Sequence, residues 1–302
     1  MNQPLLSVKQ VLLSRLQAIL ELSVPESLGR IQQPQQQKHT SLHLAKDYNS
    51  VLYVWAIAFR LSGVKNIPTL EIANILASLV RSAQANVVSS DEIECWAQKQ
   101  LAITINLLQE FTVEVVPPGW IHLQIPEAAV AAWLHYIILT PPQLQTQENH
   151  QLTQITTSDL FTVQYAHARC CSLLQMAHRE KLITLKKSVD ISSKTFVVEP
   201  DLLGNGFRYR HVAERTLIIQ LIGILDDLYY SYTSQKLNYW EKAALNLSQA
   251  FQVFYSNCRI WGEVKIQTPQ LAQARLRLVM ATQSVLRLLL QDKLGTEAPK
   301  EL

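Results

Sequence analysis

Glycine is scarce in this 302-residue chain, 8 in all, and the nearest approach to a phosphate-cradling loop is the isolated Gly204-Asn205-Gly206. Neither a Walker loop nor a Gly-rich dinucleotide fingerprint is present, so nucleotide-binding folds that rely on either are not expected. Cysteine is sparse too. Cys95, Cys170, Cys171 and Cys258 form no Cys-x-x-Cys pair, which predicts buried reduced thiols rather than a disulfide framework or a zinc site. Long hydrophobic runs are missing: the two longest, about ten residues each at 130–139 and 216–225, are too short to span a bilayer. The start, Met1-Asn2-Gln3-Pro4, leads into an amphipathic stretch holding Lys9 and Arg15, with no basic leader ahead of an apolar block. A soluble, cytoplasmic protein is expected, with no membrane, no metal and no cofactor.

What is present is apolar bulk and an uneven charge. Hydrophobic residues make up 48% of the chain, enough to bury one large core or two ordinary ones. Residues 1–150 carry 9 basic and 11 acidic side chains, and the remainder carries 18 and 13. An anionic partner is therefore expected to dock on the C-terminal half.

Two polar stretches without hydrophobic periodicity punctuate the chain. One is Ile31 to Thr40, with Gln32-Gln33-Pro34-Gln35-Gln36-Gln37; the other runs from Thr140-Pro141-Pro142 through several glutamines to Ser158. The second is the better domain boundary, being long, polar and broken by two prolines. Before it, Leu12, Leu16, Ile19 and Leu20 repeat at helical spacing, as do Leu52, Trp55, Ala56 and Phe59, and Ile72, Ile75, Leu76 and Leu79. Phe111 to Val116 and Trp120 to Ile125 alternate apolar with polar around Pro117-Pro118-Gly119, a hairpin signal. A helix from Pro126 to Leu139 closes that part. After the boundary everything reads helical: Val163, Ala166, Cys170, Leu173 and Ala177 share a face, as do Leu217, Leu221, Ile224 and Leu228, and Leu271, Ala274, Leu278, Ala281, Val285 and Leu288. The expected fold is mainly α: a small α+β N-terminal domain over 1–139, a Gln-rich linker over 140–158, and an all-α helical bundle over 159–302.

Three separated segments carry a family resemblance. Phe161-Thr162-Val163-Gln164-Tyr165-Ala166-His167-Ala168-Arg169-Cys170-Cys171-Ser172-Leu173-Leu174 resembles the first helix of the DALR-type anticodon-binding domain of arginyl-tRNA synthetases, where Val-Gln-Tyr-Ala-His-Ala-Arg is a signature. Ser248 to Arg259 is similar to a later helix of that domain, and Ala274 to Leu302 to its C-terminal helix and tail. Upstream, Val113 to Leu123 is similar to the hairpin of the family's N-terminal additional domain, which contacts the tRNA corner; Pro68 to Leu79 resembles the helix before it. Asp47-Tyr48 resembles the Gly-Asp-Tyr of that domain without its Gly. The family's catalytic core has no counterpart here: no histidine lies in a His-x-Gly-His motif and no methionine sits in a Lys-Met-Ser-Lys-type loop.

The resemblance implies RNA binding, and loops of RNA are gripped by splaying bases onto aromatic or guanidinium planes while cations neutralise phosphates. Tyr165, His167 and Arg169, on one helix turn, can supply a stacking face, a polar edge contact and a cation; the alternative is one packed tyrosine and a solvated arginine. Arg179 and Lys181, with His178, Lys186 and Lys187, form a basic cluster at the helix end, where cations also suit the helix dipole. Arg208 and Arg210 flank Tyr209 in a second basic patch, which reads equally as a loop resting on a helix start. Arg275 and Arg277 read as a solvated face. His39 and His43 have the i, i+4 spacing of helical metal ligands but lack a third ligand. Asp226 and Asp227 point about 100° apart on a helix, which favours solvation or capping over acid–base work. Tyr229, Tyr230, Tyr232, Tyr239 and Trp240 read as packing.

The expectation is a non-catalytic protein that binds tRNA, arginine tRNA being the first candidate, through its C-terminal bundle. The alternative is a protein-interaction module that has kept the fold and lost RNA affinity, with a protein partner. A minor alternative is a share in arginyl-tRNA aminoacylation, with the core supplied by another chain.

Overall fold

A computed structural model describes residues 6–23, 41–46, 49–65, 67–84, 96–142, 155–184, 209–230 and 237–302. Outside them lie most of the Gln-rich stretches, Cys95, His39, Asp47, Tyr48, Lys186, Lys187, Gly204 to Gly206, Arg208 and Tyr232. The chain divides into two compact units, Ser7–Ala132 and the described residues of Trp133–Leu302 together with Leu6.

The first unit holds α1 (Val8–Ser23), β1 (Leu42–Leu44), β2 (Val51–Trp55), α2 (Ile57–Lys65), α3 (Thr69–Gln84), α4 (Trp96–Leu108), β3 (Thr112–Val116) and β4 (Trp120–Ile125). Its strands form one antiparallel sheet in the order β1-β2-β4-β3. Tyr53 faces Leu123 and Val51 faces Ile125 across β2 and β4, and all four are buried, as are Trp55 and Ile121. Period-2 burial gives the sheet one core face. The helical reading of Leu52 to Phe59 is corrected here: Val51 to Trp55 is a strand, and the helix starts only at Ile57. The run Val-Leu-Tyr-Val-Trp is β-branched and aromatic, so its residues fit a pleated, half-buried surface better than a helix. Leu52 and Trp55, three apart, share a helical face but lie on opposite faces of a strand, and burial of Val51, Tyr53 and Trp55 follows the strand's period of two.

The hairpin turn is tied to α3. Gly119 has φ 152°, and a Cβ there would stand 2.5 Å from Thr69 Cγ2 and 3.1 Å from Thr69 O. Thr69 Oγ1 in turn donates to Ser62 Oγ at 3.0 Å. Arg81, in the last turn of α3, donates from Nη2 to Val113 O at 3.0 Å, so α3 is pinned to the hairpin at both ends.

The division between units falls inside α5 (Glu127–Leu139), a helix apolar on nearly every side and buried from Ala132 to Ile138. The bundle then comprises α6 (Thr157–Arg179), α7 (Val212–Tyr230), α8 (Leu237–Asn257), the short α9 (Glu263–Gln267) and α10 (Pro269–Leu288), which runs into a π-helical turn at Leu289–Lys293. Three of these helix starts have a local cause. Thr156 caps α6 by accepting from Asp159 N at 3.1 Å, and Pro269 opens α10, where its missing N–H costs nothing. At α7, His211 takes the place of the usual serine or threonine cap. Its Nδ1 accepts from Ala213 N at 3.1 Å, while Glu214 Oε2 accepts from His211 N at 3.1 Å, the reciprocal pattern of a capping box.

His135, in α5, is buried and its Nε2 has no hydrogen-bond partner among the described residues. Desolvation, aided by the nearby Arg277 guanidinium, pushes its pKa down to about 4. The folded value lies below the unfolded 6.5, so this stability is present above pH 6.5 and is lost as pH falls toward about 4, by up to ~3 kcal/mol. Thermal melts between pH 7.5 and 4.5 should show that slope, and His135→Leu should flatten it; an equal slope in the variant would assign the effect elsewhere. In the first unit, Gly119→Ala should cost roughly 2 kcal/mol through the clash with Thr69. Adding Thr69→Ser, which removes the clashing methyl, should recover part of it in urea melts.

Candidate nucleic-acid interface

One face of α6 is exposed at Phe161, Tyr165 and Arg179 and part-buried between them. Phe161, Tyr165 and Arg169 recur every four residues, and with 100° per residue Ser172, Met176 and Arg179 stay within the same 80° sector. Phe161 is 55% exposed and Tyr165 46%. Their rings stack with centroids 6.3 Å apart and planes 24° from parallel. Two large aromatic rings left together in water on a helix whose other sides are packed make a flat apolar surface of the kind that accepts a nucleobase.

Arg169 is engaged. Its Nη2 donates to Tyr255 Oη on α8 at 2.6 Å, and its guanidinium lies 5.0 Å from that ring's centroid. Tyr255 stacks on Phe251 of the buried core at 6.3 Å. Arg169 therefore fastens α6 to α8 and continues the aromatic row with a planar cation.

His167 points the other way. It is 1% exposed, with Nδ1 2.8 Å from Pro299 O and Nε2 2.9 Å from the Gln283 amide on α10. A carbonyl can only accept, so Nδ1 carries the proton and Nε2 accepts from Gln283. Burial lowers the pKa of this histidine, the Pro299 carbonyl partly opposes that, and the Arg287 and Lys300 charges lower it further. It is a neutral ring that docks the segment after α10 onto α6, with Gln164 Nε2 donating to Glu297 O at 3.0 Å alongside.

At the far end of α6, Leu182 N donates to Ala177 O at 2.9 Å and Lys181 N to His178 O at 3.1 Å. These two bonds make a Schellman motif with Lys181 at the position that glycine favours, and its φ is 58°. Buried Leu182 anchors the turn, its carbonyl accepting from Gln273 Nε2 at 3.4 Å. Ahead of α7, buried Tyr209 donates to Ala274 O at 3.3 Å. Successive residues of α10 thus bring Arg179, Lys181 and exposed Arg210 to one end of the bundle; Arg208 lies outside the described residues.

The polar-face reading of Arg275 and Arg277 is corrected. Arg275 Nε lies 2.7 Å from Glu214 Oε1, with side-chain exposures of 12% and 1%, and its Nη1 donates to Arg259 O. Burial lowers the Arg277 pKa, with nearby Tyr209 opposing it. Both stems alternate with Ala274, Leu276 and Leu278, all buried, because α10 is covered on nearly every side. Asp226 is likewise buried, while Asp227 accepts from the Tyr239 hydroxyl. His43 lies in strand β1, so the helical spacing assumed for it does not apply. Cys170, Cys171 and Cys258 are buried thiols, and burial pushes Cys171 up to about 11.

Comparison with known proteins places the bundle. Residues 163–302 match the family model described as the DALR anticodon binding domain. Arginine–tRNA ligase from Synechococcus sp. (strain JA-3-3Ab) is 34% identical over 140 residues, which is 46% of this chain and 22% of the ligase. The enzyme of the same name from Symbiobacterium thermophilum is 29% identical over 199 residues, 64% of this chain and 32% of the ligase. That from Methanococcus aeolicus is 29% identical over 140 residues, covering 46% and 21%. The chain therefore spans between a fifth and a third of the length of these relatives. No solved structure matches.

The strained backbone at Lys181 gives a direct test. Lys181→Gly should raise stability by about 1 kcal/mol, since only the lysine bears the cost of left-handed φ. An unchanged or lowered denaturant midpoint would mean that side-chain contacts outweigh that strain.

Proposed function

We propose that this chain, whose residues 163–302 match the DALR anticodon binding domain, binds tRNA through its C-terminal bundle and does not aminoacylate it. The observation that carries the reading is the exposed, stacked Phe161–Tyr165 pair on the helix bearing the signature residues. A splayed loop base stacks on such a pair at about 1–3 kcal/mol per base. Arg179, Lys181 and Arg210 supply the counter-charge for phosphates, as does Arg208 in the sequence. Arginine tRNA is the first candidate, because the relatives are named for arginine.

The non-catalytic part of the proposal rests on chemistry. Activating an amino acid needs groups that hold ATP phosphates and stabilise the charge developing in transfer. The 302 residues contain no His-x-Gly-His and no Lys-Met-Ser-Lys-type sequence to provide them. A cytoplasmic setting follows from a tRNA ligand. None of the described helices is long and apolar enough to cross a membrane.

A second reading is a protein-interaction module, and one observation favours it. Val212 and Val253 are 54% and 53% exposed, apolar groups on the bundle for which RNA has little use. Salt separates the two readings, since RNA binding weakens steeply as salt rises. Purified protein titrated with total tRNA at low salt should retain tRNA enriched in arginine isoacceptors. Retention of none would favour the protein partner. Tyr165→Ala should weaken retention roughly tenfold with an unchanged melt, whereas Arg169→Ala should also lower stability by about 1 kcal/mol through the lost α6–α8 contact.

A further inference from the structure

We propose that the end of the bundle where α6 stops and α7 and α10 begin is a phosphate-binding site for the RNA backbone, separate from the aromatic pair and including Arg259, a residue outside the signature helix. The inference rests on the reading of the bundle as an RNA binder, and it assigns salt-dependent affinity to one end and base stacking to the other.

Charge is divided between the ends of the helices. Two carboxylates at the α6 terminus end are already matched, Glu180 by Lys265 at 2.7 Å and Glu214 by Arg275 at 2.7 Å. Arg179, Lys181, Arg210 and Arg259 are exposed there, and no ion pair holds them among the described residues; Glu263, at the start of α9, offsets one. The opposite end carries Asp159 in the first turn of α6, Asp226 and Asp227 late in α7, and Asp292 after α10, against Arg287 in the last turn of α10 and Lys293. A polyanion meets the more favourable field at the first end.

The scaffold of that end is rigid in the places that matter. Arg259 offers its carbonyl to the part-buried Arg275, so its backbone is held while its side chain is left in solvent. Lys181 sits on a turn closed by two backbone bonds and anchored by buried Leu182. A lysine kept at a left-handed position is a local cost that points to use of its side chain. Along α6, Tyr165 and Arg179 are 14 residues apart, about 21 Å at 1.5 Å per residue. A stacked strand advancing roughly 3.4 Å per nucleotide needs about six nucleotides to touch both places. One RNA molecule can therefore engage the two sites at once, with different parts of itself.

The test is the salt dependence of total-tRNA binding by the full chain and by Arg179→Gln, Lys181→Gly, Arg210→Gln, Arg259→Gln and Tyr165→Ala. Each cation variant should flatten the slope of log K against log salt by about 0.7–0.9, and Tyr165→Ala should lower affinity at every salt with the slope unchanged. Lys181→Gly guards against misfolding, because its binding should weaken while its melt rises. If the wild-type chain binds and all four cation variants keep its slope, the phosphate site is wrong and RNA binding stands. If the wild-type chain retains no tRNA at low salt, the RNA reading fails and takes this site with it.

Discussion

The pair of buried Glu214 and part-buried Arg275 is the constraint on which the bundle's geometry rests. Charges removed from water are costly, and the loss is recovered by the hydrogen bonds that the pair makes. Glu214 takes Arg275 on one oxygen and the His211 amide on the other, and Arg275 spends a further donor on the Arg259 carbonyl. The start of α7, the first turns of α10 and the segment after α8 are thereby held at fixed distances. Removal of either partner would strand the other charge, a penalty of about 3–5 kcal/mol. The pair is neutral in sum, so the net charge of that end is set by the exposed groups around it.

α6 shows how one short motif serves two surfaces. In Val-Gln-Tyr-Ala-His-Ala-Arg, the tyrosine and arginine are four residues apart and share a sector, whereas the histidine between them is rotated by about 160° from each or on the far flank. Tyr165 faces solvent, Arg169 bridges to Tyr255, and His167 fastens the segment around Pro299. Residue type alone marked all three as candidate contacts for a nucleic acid. Only tertiary placement distinguishes a residue that meets a ligand from one that shapes the surface presenting it.

The sequence was most informative where periodicity was long and unambiguous. The hairpin around Pro117-Pro118-Gly119, the helix after Pro68 and the bundle helices follow from alternation, breakers and 3.6-residue spacing. It misled at Leu52 to Phe59, where four residues at helical spacing straddle the junction of a five-residue strand and a helix. It misled again at Arg275, because an arginine alternating with apolar residues looks like the edge of a solvated face, and its buried partner Glu214 lies 61 residues away. Phe161 was legible as the i−4 neighbour of Tyr165. Tyr255, Gln283 and Arg259 carry no local mark that ties them to α6 or α10.

The clasp at His167 also has a consequence for the order of events during synthesis. Its partners Gln283 and Pro299 lie 116 and 132 residues further along the chain. At roughly 5–20 residues per second, α6 leaves the ribosome many seconds before α10 and the segment around Pro299 exist to cover it. Until then Ala166, Cys170, Leu173 and Leu174, all buried in the finished bundle, lack part of their cover, and a folding helper that shields an apolar helix would find its substrate there. The clasp draws on a helix and a segment that follow all the other bundle helices in the chain, so it closes only after those helices have been made.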